Sequence, residues 1–108
     1  MADTLHMNTN PSRETVLAEL KRCRDELLQL GVTDIRLFGS RARGDNREDS
    51  DIDVLIDYDE SRKFSLIDLG LVEDFLAAKL GCPVHVTTTS SVPPSDRRRI
   101  LAEAIAVL

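Results

Sequence analysis

The stretch that decides the fold is Phe38 to Asp57, F-G-S-R-A-R-G-D-N-R-E-D-S-D-I-D-V-L-I-D. It begins at the end of an apolar strand, turns through glycine and serine, crosses a polar loop and enters a second strand. Side chains two residues apart in a strand share one face, so Asp51 and Asp53 would project together, with Cα atoms roughly 6.6 Å apart. Two carboxylates so placed repel each other unless a cation lies between them, and the spacing therefore predicts a metal site.

The same stretch provides groups that bind phosphate. Mg²⁺ is usually held by one or two carboxylates together with substrate phosphates, rather than by a full protein cage. Upstream of the aspartates, Gly39 and Gly44 allow backbone N–H groups to approach an anion, and Ser40 adds a hydroxyl. Positive charge comes from three arginines: Arg41, Arg43 and Arg47. A cation site next to an anion site predicts binding of a metal–nucleotide complex.

Other interpretations of this stretch are a surface hairpin rich in arginine, a calcium loop and a P-loop. The calcium loop is disfavoured because the run that holds Asp49, Asp51 and Asp53 lacks the glycine and the closing glutamate of an EF-hand. The P-loop is excluded because no Gly-Lys-Ser/Thr follows the turn. The surface hairpin stays open as an alternative without function.

Taken together, G-S-R-A-R-G, five further residues and S-D-I-D resemble the minimal nucleotidyltransferases of the DNA polymerase β superfamily. The resemblance extends over nearly the whole chain, because F-S-L-I-D-L, G-C-P-V-H-V-T and R-R-R-I-L-A-E-A also read like the small prokaryotic members. It implies a palm-like α+β core and a two-metal transfer of a nucleoside monophosphate.

The resemblance also assigns roles by position. It implies that Asp51 and Asp53 are catalytic ligands of Mg²⁺ and that Gly39 and Ser40 bind the β- and γ-phosphates of ATP. Three further residues complete the implied nucleotide-binding set as auxiliary contacts: Arg41, Arg43 and Ser50.

The chain departs from the family pattern at a third carboxylate, which is expected on the neighbouring strand. Val84-His85-Val86 occupies that position. Imidazole suits Mg²⁺ poorly, although its neutral form binds Mn²⁺ or Zn²⁺ or acts as a general base. His85 is therefore a catalytic candidate, and Mn²⁺ is an alternative to Mg²⁺.

Two functions of different classes follow. As an enzyme, the protein would transfer AMP from ATP to a hydroxyl; the resemblance implies a partner protein as acceptor, often a HEPN-domain ribonuclease toxin with this chain as its antitoxin. As an interaction module, it would neutralise such a partner by binding alone. The intact Asp51 and Asp53 pair favours the enzyme, and His85 favours the module.

Composition limits the other possibilities. The chain has 108 residues, enough for a single domain, which we expect at 10–108 after a flexible tail at 1–9. A net charge of −5 argues against broad nucleic-acid binding. The sequence has no apolar run of the ~18 residues that a membrane span requires, and Cys23 and Cys82 are isolated, as expected of reduced thiols in a cytoplasmic protein.

Periodicity predicts the remaining elements. A helix is expected from an Asn10 cap and Pro11 to Gly31, followed by strands at 32–38 and 51–58. Ser65 with Asp68 resembles a capping box and predicts a second helix that ends at Gly81. A third strand is expected at 83–88. The last predicted helix is capped by Ser95 and has four residues that face inward: Ile100, Leu101, Ala104 and Ile105. This α/β (α+β) order predicts a small mixed sheet with helices on one face, which leaves the face of the aspartates open.

Overall fold

The structure is a computed structural model that describes residues 11–47 and 50–107. The predicted tail at 1–9, the predicted Asn10 cap and Leu108 lie outside the described residues. The helices are α1 (Arg13–Arg22), α2 (Arg24–Gln29), α3 (Gly39–Arg43), α4 (Leu66–Leu80) and α5 (Pro94–Glu103), with a 3-10 turn at Thr89–Ser91. The strands are β1 (Val32–Phe38), β2 (Ile52–Tyr58), β3 (Val84–Thr88) and β4 (Ile105–Ala106).

The strands form one mixed sheet in the order β3-β2-β1-β4. β1 runs antiparallel to both β2 and β4, and β2 runs parallel to β3. The parallel pair is joined through α4, as expected of parallel neighbours, which need a long crossover. The predicted α+β class with a mixed sheet is confirmed.

The core lies between one face of the sheet and the helices α1, α2 and α4. Residues of the predicted stripes are buried there: Val16, Leu20, Cys23, Leu27, Val72, Leu76 and Leu80. The sheet contributes Ile52, Val54 and Ile56 from β2 together with Val84 and Val86 from β3, all of them buried. Cys82 is also buried, and both cysteines are free thiols.

The predicted capping box of α4 is confirmed, because the Ser65 hydroxyl accepts hydrogen bonds from the backbone at Ile67 and Asp68, and Gly81 ends the helix with φ 73°. The first helix differs from its prediction. Its cap is Ser12, whose hydroxyl accepts from the Thr15 N–H at 3.1 Å, and the helix is interrupted at Cys23.

The C-terminal prediction was wrong in part. The helix begins at Pro94, and its cap residue is Pro93, which provides no side-chain hydrogen bond. Ser95 therefore lies inside the helix, and Leu101 is 37% exposed. Ile105 belongs to β4, where it pairs with Leu37 of β1. The physical reason is that β1 has a second edge, whose backbone groups are satisfied by pairing, including a 3.0 Å bond from the Val107 N–H to the Ile35 carbonyl.

The second face of the sheet is only partly open, in contrast to the prediction. Leu55 shares this face with Asp53 and is 1% exposed. The 3-10 turn contacts β2 and α5 contacts β1, so the C-terminal segment covers the middle of the face. On either side of Leu55 the face is partly exposed, at Asp53 near the start of β2 and at Asp57 near its end. Within residues 11–47 and 50–107, no helix combines the length and the apolar character needed to span a membrane.

Candidate metal and nucleotide site

The two aspartates lie where β2 begins. Asp51 is exposed and directly precedes the strand, whose first residue, Ile52, donates its N–H to the Pro83 carbonyl at 3.0 Å. Asp53 is half-buried and lies inside the strand, between Phe38 of β1 and His85 of β3 in the register of the sheet. The strand was predicted to begin one residue earlier, at Asp51.

The surroundings of Asp53 disfavour its charged form. Burial raises the pKa of the Asp53 carboxyl above its ordinary value, and the Asp51 carboxylate adds to the increase. Interactions with His85, Arg41 and Arg43 lower the pKa of Asp53 without cancelling the increase. A half-buried carboxylate next to a second one is destabilised in its charged form, and a divalent cation would relieve that cost.

Gly39 fixes the position of Asp53. Its φ is 77°, in the left-handed region that favours glycine, and a Cβ atom built there would lie 2.6 Å from Asp53 Oδ2. The same Cβ would lie 3.3 Å from both Cβ and Cγ of Asp53. A side chain at residue 39 would therefore displace the aspartate itself.

The turn after Gly39 is more regular than the predicted loop, because Gly39–Arg43 form the short helix α3. Its cap, Phe38, provides no side-chain hydrogen bond. Backbone N–H groups in the first turn of a helix have no intrahelical acceptor, so this end can face an anion. At the other end, the Ser40 carbonyl accepts from Gly44 at 2.9 Å and from Asp45 at 3.0 Å.

Arg41 lies inside the protein, with 0% of its side chain exposed. Its Nη1 donates to the Pro11 carbonyl at 2.7 Å, and its Nη2 donates to the Ser50 carbonyl at 2.8 Å. The guanidinium thus joins the segment before α1 to the residue that precedes Asp51. The predicted contact between Arg41 and phosphate would require this buried group to leave both carbonyls.

Arg43 and Ser50 remain near the site but already have partners. Arg43 is exposed, and its guanidinium contacts Asp45 at 3.2 Å and Glu103 of α5 at 3.3 Å, which raises its pKa. The Ser50 hydroxyl accepts from the Arg47 N–H at 2.9 Å and so closes the loop before β2.

His85 is exposed and adjacent to Asp53 across the parallel strands. Their proximity is also electrostatic, since His85 lowers the pKa of Asp53. In the part of the chain that the structure describes, no three side chains among His, Cys, Asp and Glu converge as a metal-binding group. Asp51 and Asp53 offer hard oxygen donors that suit Mg²⁺, and further ligands would come from phosphate and water.

Two supporting residues were missed by sequence reasoning. Arg13 of α1 donates to the Ala42 carbonyl in α3 at 2.9 Å, and Glu103 pairs with Arg43. These partners are 29 and 60 residues apart. No spacing rule links them, so only the packed fold identifies them.

Known proteins resemble the chain over most of its length. The model of the nucleotidyltransferase domain family matches residues 19–107. A proposed protein adenylyltransferase of Methanocaldococcus jannaschii is 43% identical over 82 residues, which are 76% of this chain and 86% of the relative. The protein adenylyltransferase MntA of Thermococcus cleftensis is 37% identical over 79 residues, 73% of this chain and 78% of the relative.

Solved structures agree with this result. A proposed minimal nucleotidyltransferase superimposes with a TM-score of 0.76 at 34% identity, covering 88% of this chain and 95% of the other. A complex of a tri-AMPylated HEPN toxin with an MNT antitoxin from Shewanella oneidensis matches at 17% identity with a TM-score of 0.55, covering 83% of this chain and 71% of the other. At 17% identity, the match to the Shewanella complex shows a similar fold and nothing more.

Proposed function

The chain belongs to the nucleotidyltransferase domain family, and we propose that it transfers AMP from ATP to a hydroxyl group of a partner protein. The observation that supports this most directly is the contact between Gly39 and Asp53. It brings the uncapped start of α3 next to a carboxylate pair. An anion site and a cation site in contact fit a metal–triphosphate complex.

In this proposal Asp51 and Asp53 hold the metal, with Mg²⁺ as the expected ion. The bound metal would neutralise the phosphates and lower the pKa of the attacking hydroxyl. The raised pKa of Asp53 fits the assignment, because burial and the Asp51 carboxylate outweigh the groups nearby that lower it, and a bound cation would offset both. Both side chains lie where β2 begins, and Asp51 is exposed there, so a nucleotide can enter.

The phosphate-binding role falls to Gly39 and Ser40. Backbone N–H groups at the start of α3 would bind the β- and γ-phosphates, and the Ser40 hydroxyl would add a further contact. Arg43 is exposed and can exchange its surface ion pairs for phosphate at little cost, because water screens such pairs. We assign Arg41 and Ser50 to support of the loop before Asp51, because both are already bonded to backbone there.

In the proposed transfer step, His85 accepts the proton of the acceptor hydroxyl. The acceptor oxygen attacks the α-phosphorus, the bond from that phosphorus to the bridging oxygen breaks, and pyrophosphate leaves with the bonding pair. The acceptor proton passes to the His85 imidazole, which is exposed and in register with Asp53. If His85 instead binds the metal, Mn²⁺ would replace Mg²⁺ as the preferred ion.

The proposed acceptor is a HEPN-domain toxin, with this chain as its antitoxin in the cytoplasm. Two relatives carry the name protein adenylyltransferase, and the Shewanella complex contains an AMPylated HEPN toxin. A second candidate function is neutralisation by binding without transfer. It is favoured by His85 in the position of a third carboxylate.

Transfer of labelled AMP to the small helical HEPN protein, if one is encoded beside this gene, tests the proposal. Wild type with Mg²⁺ or Mn²⁺ should label the partner, and Asp53→Asn should not. Inhibition of the partner by Asp51→Asn as complete as by wild type, with no label from either protein, would establish the binding module instead.

A further inference from the structure

A cleft of about 410 Å³ lies alongside β3, which is an edge strand of the sheet. It is formed by the end of β2, the start of α4 and the outer side of β3. Its lining includes Tyr58, Phe64, Leu66, Leu69, His85 and Thr87. The rings of Tyr58 and Phe64 stack with centroids 4.6 Å apart and planes 12° apart, which gives the cleft a flat apolar wall.

The cleft is continuous with the candidate catalytic site through His85. His85 lines it and is the register partner of Asp53. On the opposite side of Asp53 lies Phe38, followed by Gly39 at the start of α3. Asp53 therefore lies between the proposed phosphate site and the cleft.

Phosphoryl and nucleotidyl transfer place the attacking and leaving oxygens roughly in line on opposite sides of the phosphorus. If pyrophosphate leaves toward Gly39, the attacking hydroxyl must approach from the side of His85. The order of the strands thus determines where the acceptor enters. The cleft lies on that side, because His85 belongs to its lining.

The side chains that line the cleft indicate which kind of ligand it can bind. The cleft is lined by apolar, aromatic and hydroxyl side chains and His85, and no Asp, Glu, Lys or Arg of the described residues belongs to this lining. Such a surface does not attract phosphate, but it suits an uncharged segment of protein. Leu66 of this lining and its chain neighbour Ile67 are 85% and 77% exposed, and together they form an exposed apolar pair at the start of α4.

We propose that this cleft binds the acceptor: an uncharged, apolar peptide segment of the partner that carries the hydroxyl to be modified. The inference rests on the proposed function, since it names the acceptor subsite of that reaction. Burial of Leu66 and Ile67 against the partner would supply binding energy, and His85 at the inner end would meet the hydroxyl. Specificity for the acceptor then depends on α4 and β3 rather than on the nucleotide site.

The test compares Leu66→Gln/Ile67→Gln with the control Leu28→Gln. Leu28 is an exposed leucine of α2, 42% accessible, and it does not line the cleft. Glutamine is neutral, so neither protein changes the field at the nucleotide site. For AMP transfer to the partner protein, we expect the cleft variant to raise the KM for the acceptor at least tenfold. Its Kd for Mg-ATP and its melting temperature should stay as in the control.

The possible outcomes separate the two proposals. Absence of AMP transfer by wild type overturns the proposed function and the acceptor subsite together. Transfer by wild type with equal acceptor KM in the cleft variant and the control overturns the subsite alone. A weaker Kd for Mg-ATP with an unchanged acceptor KM would also overturn it, because the cleft would then hold the nucleoside.

Discussion

Alanine at Gly39 should weaken nucleotide binding at least tenfold, because it moves Asp53. The new Cβ would lie 2.6 Å from Asp53 Oδ2, whereas ordinary contact begins at 3.4 Å, so the carboxylate must retreat by about 0.8 Å. Mg²⁺ requires near-ideal octahedral geometry with ligands at about 2.0–2.1 Å, and a displaced ligand cannot satisfy it. We expect the Kd for Mg-ATP to rise at least tenfold.

Gly44→Ala provides the matched control, because Gly44 lies at the C-terminal end of α3, away from the helix start to which phosphate binding is assigned. Gly44 has φ 84°, close to the 77° of Gly39, but a Cβ built there meets nothing within 4 Å. Both substitutions carry the left-handed strain of about 1–2 kcal/mol. Gly39→Ala adds about 0.5–1.5 kcal/mol for an aspartate forced from its rotamer.

Urea denaturation measures the two stabilities, and titration calorimetry measures the Kd for Mg-ATP. Gly44→Ala should be destabilised but should bind as wild type does. Equal Mg-ATP affinity in the two variants would refute the reasoning, because the nucleotide site would then not depend on the contact between Gly39 and Asp53.

Three further predictions concern the charges of the site. Asp53→Asn should raise the melting temperature of the metal-free protein, since it removes a half-buried carboxylate that the Asp51 carboxylate repels, and should abolish the stabilisation by Mg-ATP. Calorimetry that shows equal ATP affinity with and without metal in wild type would contradict it. Arg41→Met should lower the free energy of unfolding by about 2–6 kcal/mol, because it leaves two carbonyls unpaired, and it should accelerate hydrogen exchange at 50–53. The control Arg97→Met loses one 2.9 Å bond to Val92 and should leave exchange at 50–53 unchanged. His85→Ala should retain Mg-ATP binding within about twofold while transfer falls by about 10²–10⁴; transfer at the wild-type rate would exclude His85 as the base.

The sequence was sufficient for the parts of the fold that depend on local rules. The stripe from Val16 to Leu27, the capping box at Ser65 and the strand that carries Asp53 follow from spacing, because each pattern is set by neighbours three or four residues away or by alternation. Their positions in the structure agree with the predictions to within one or two residues.

Other features depend on partners far along the chain. Ile105 was predicted to lie in the last helix, and its place in β4 is decided by the unpaired edge of β1. The predicted role of Arg41 as an auxiliary phosphate contact stays a prediction, and the sequence does not indicate its burial against the carbonyls of Pro11 and Ser50. Sequence reasoning gave Gly39 a role in ligand approach, whereas the structure adds that its missing side chain leaves room for Asp53.

The position of β4 has a consequence for synthesis on the ribosome. Leu37 pairs with Ile105, so the outer edge of β1 waits for a partner that is translated roughly 68 residues later. At about 5–20 residues per second, the nascent chain exposes that edge for roughly 3–14 s. Unpaired edges template aggregation, and charged side chains on the edge strand oppose it. Asp34 and Arg36 lie on β1, where they would protect the growing chain until β4 arrives.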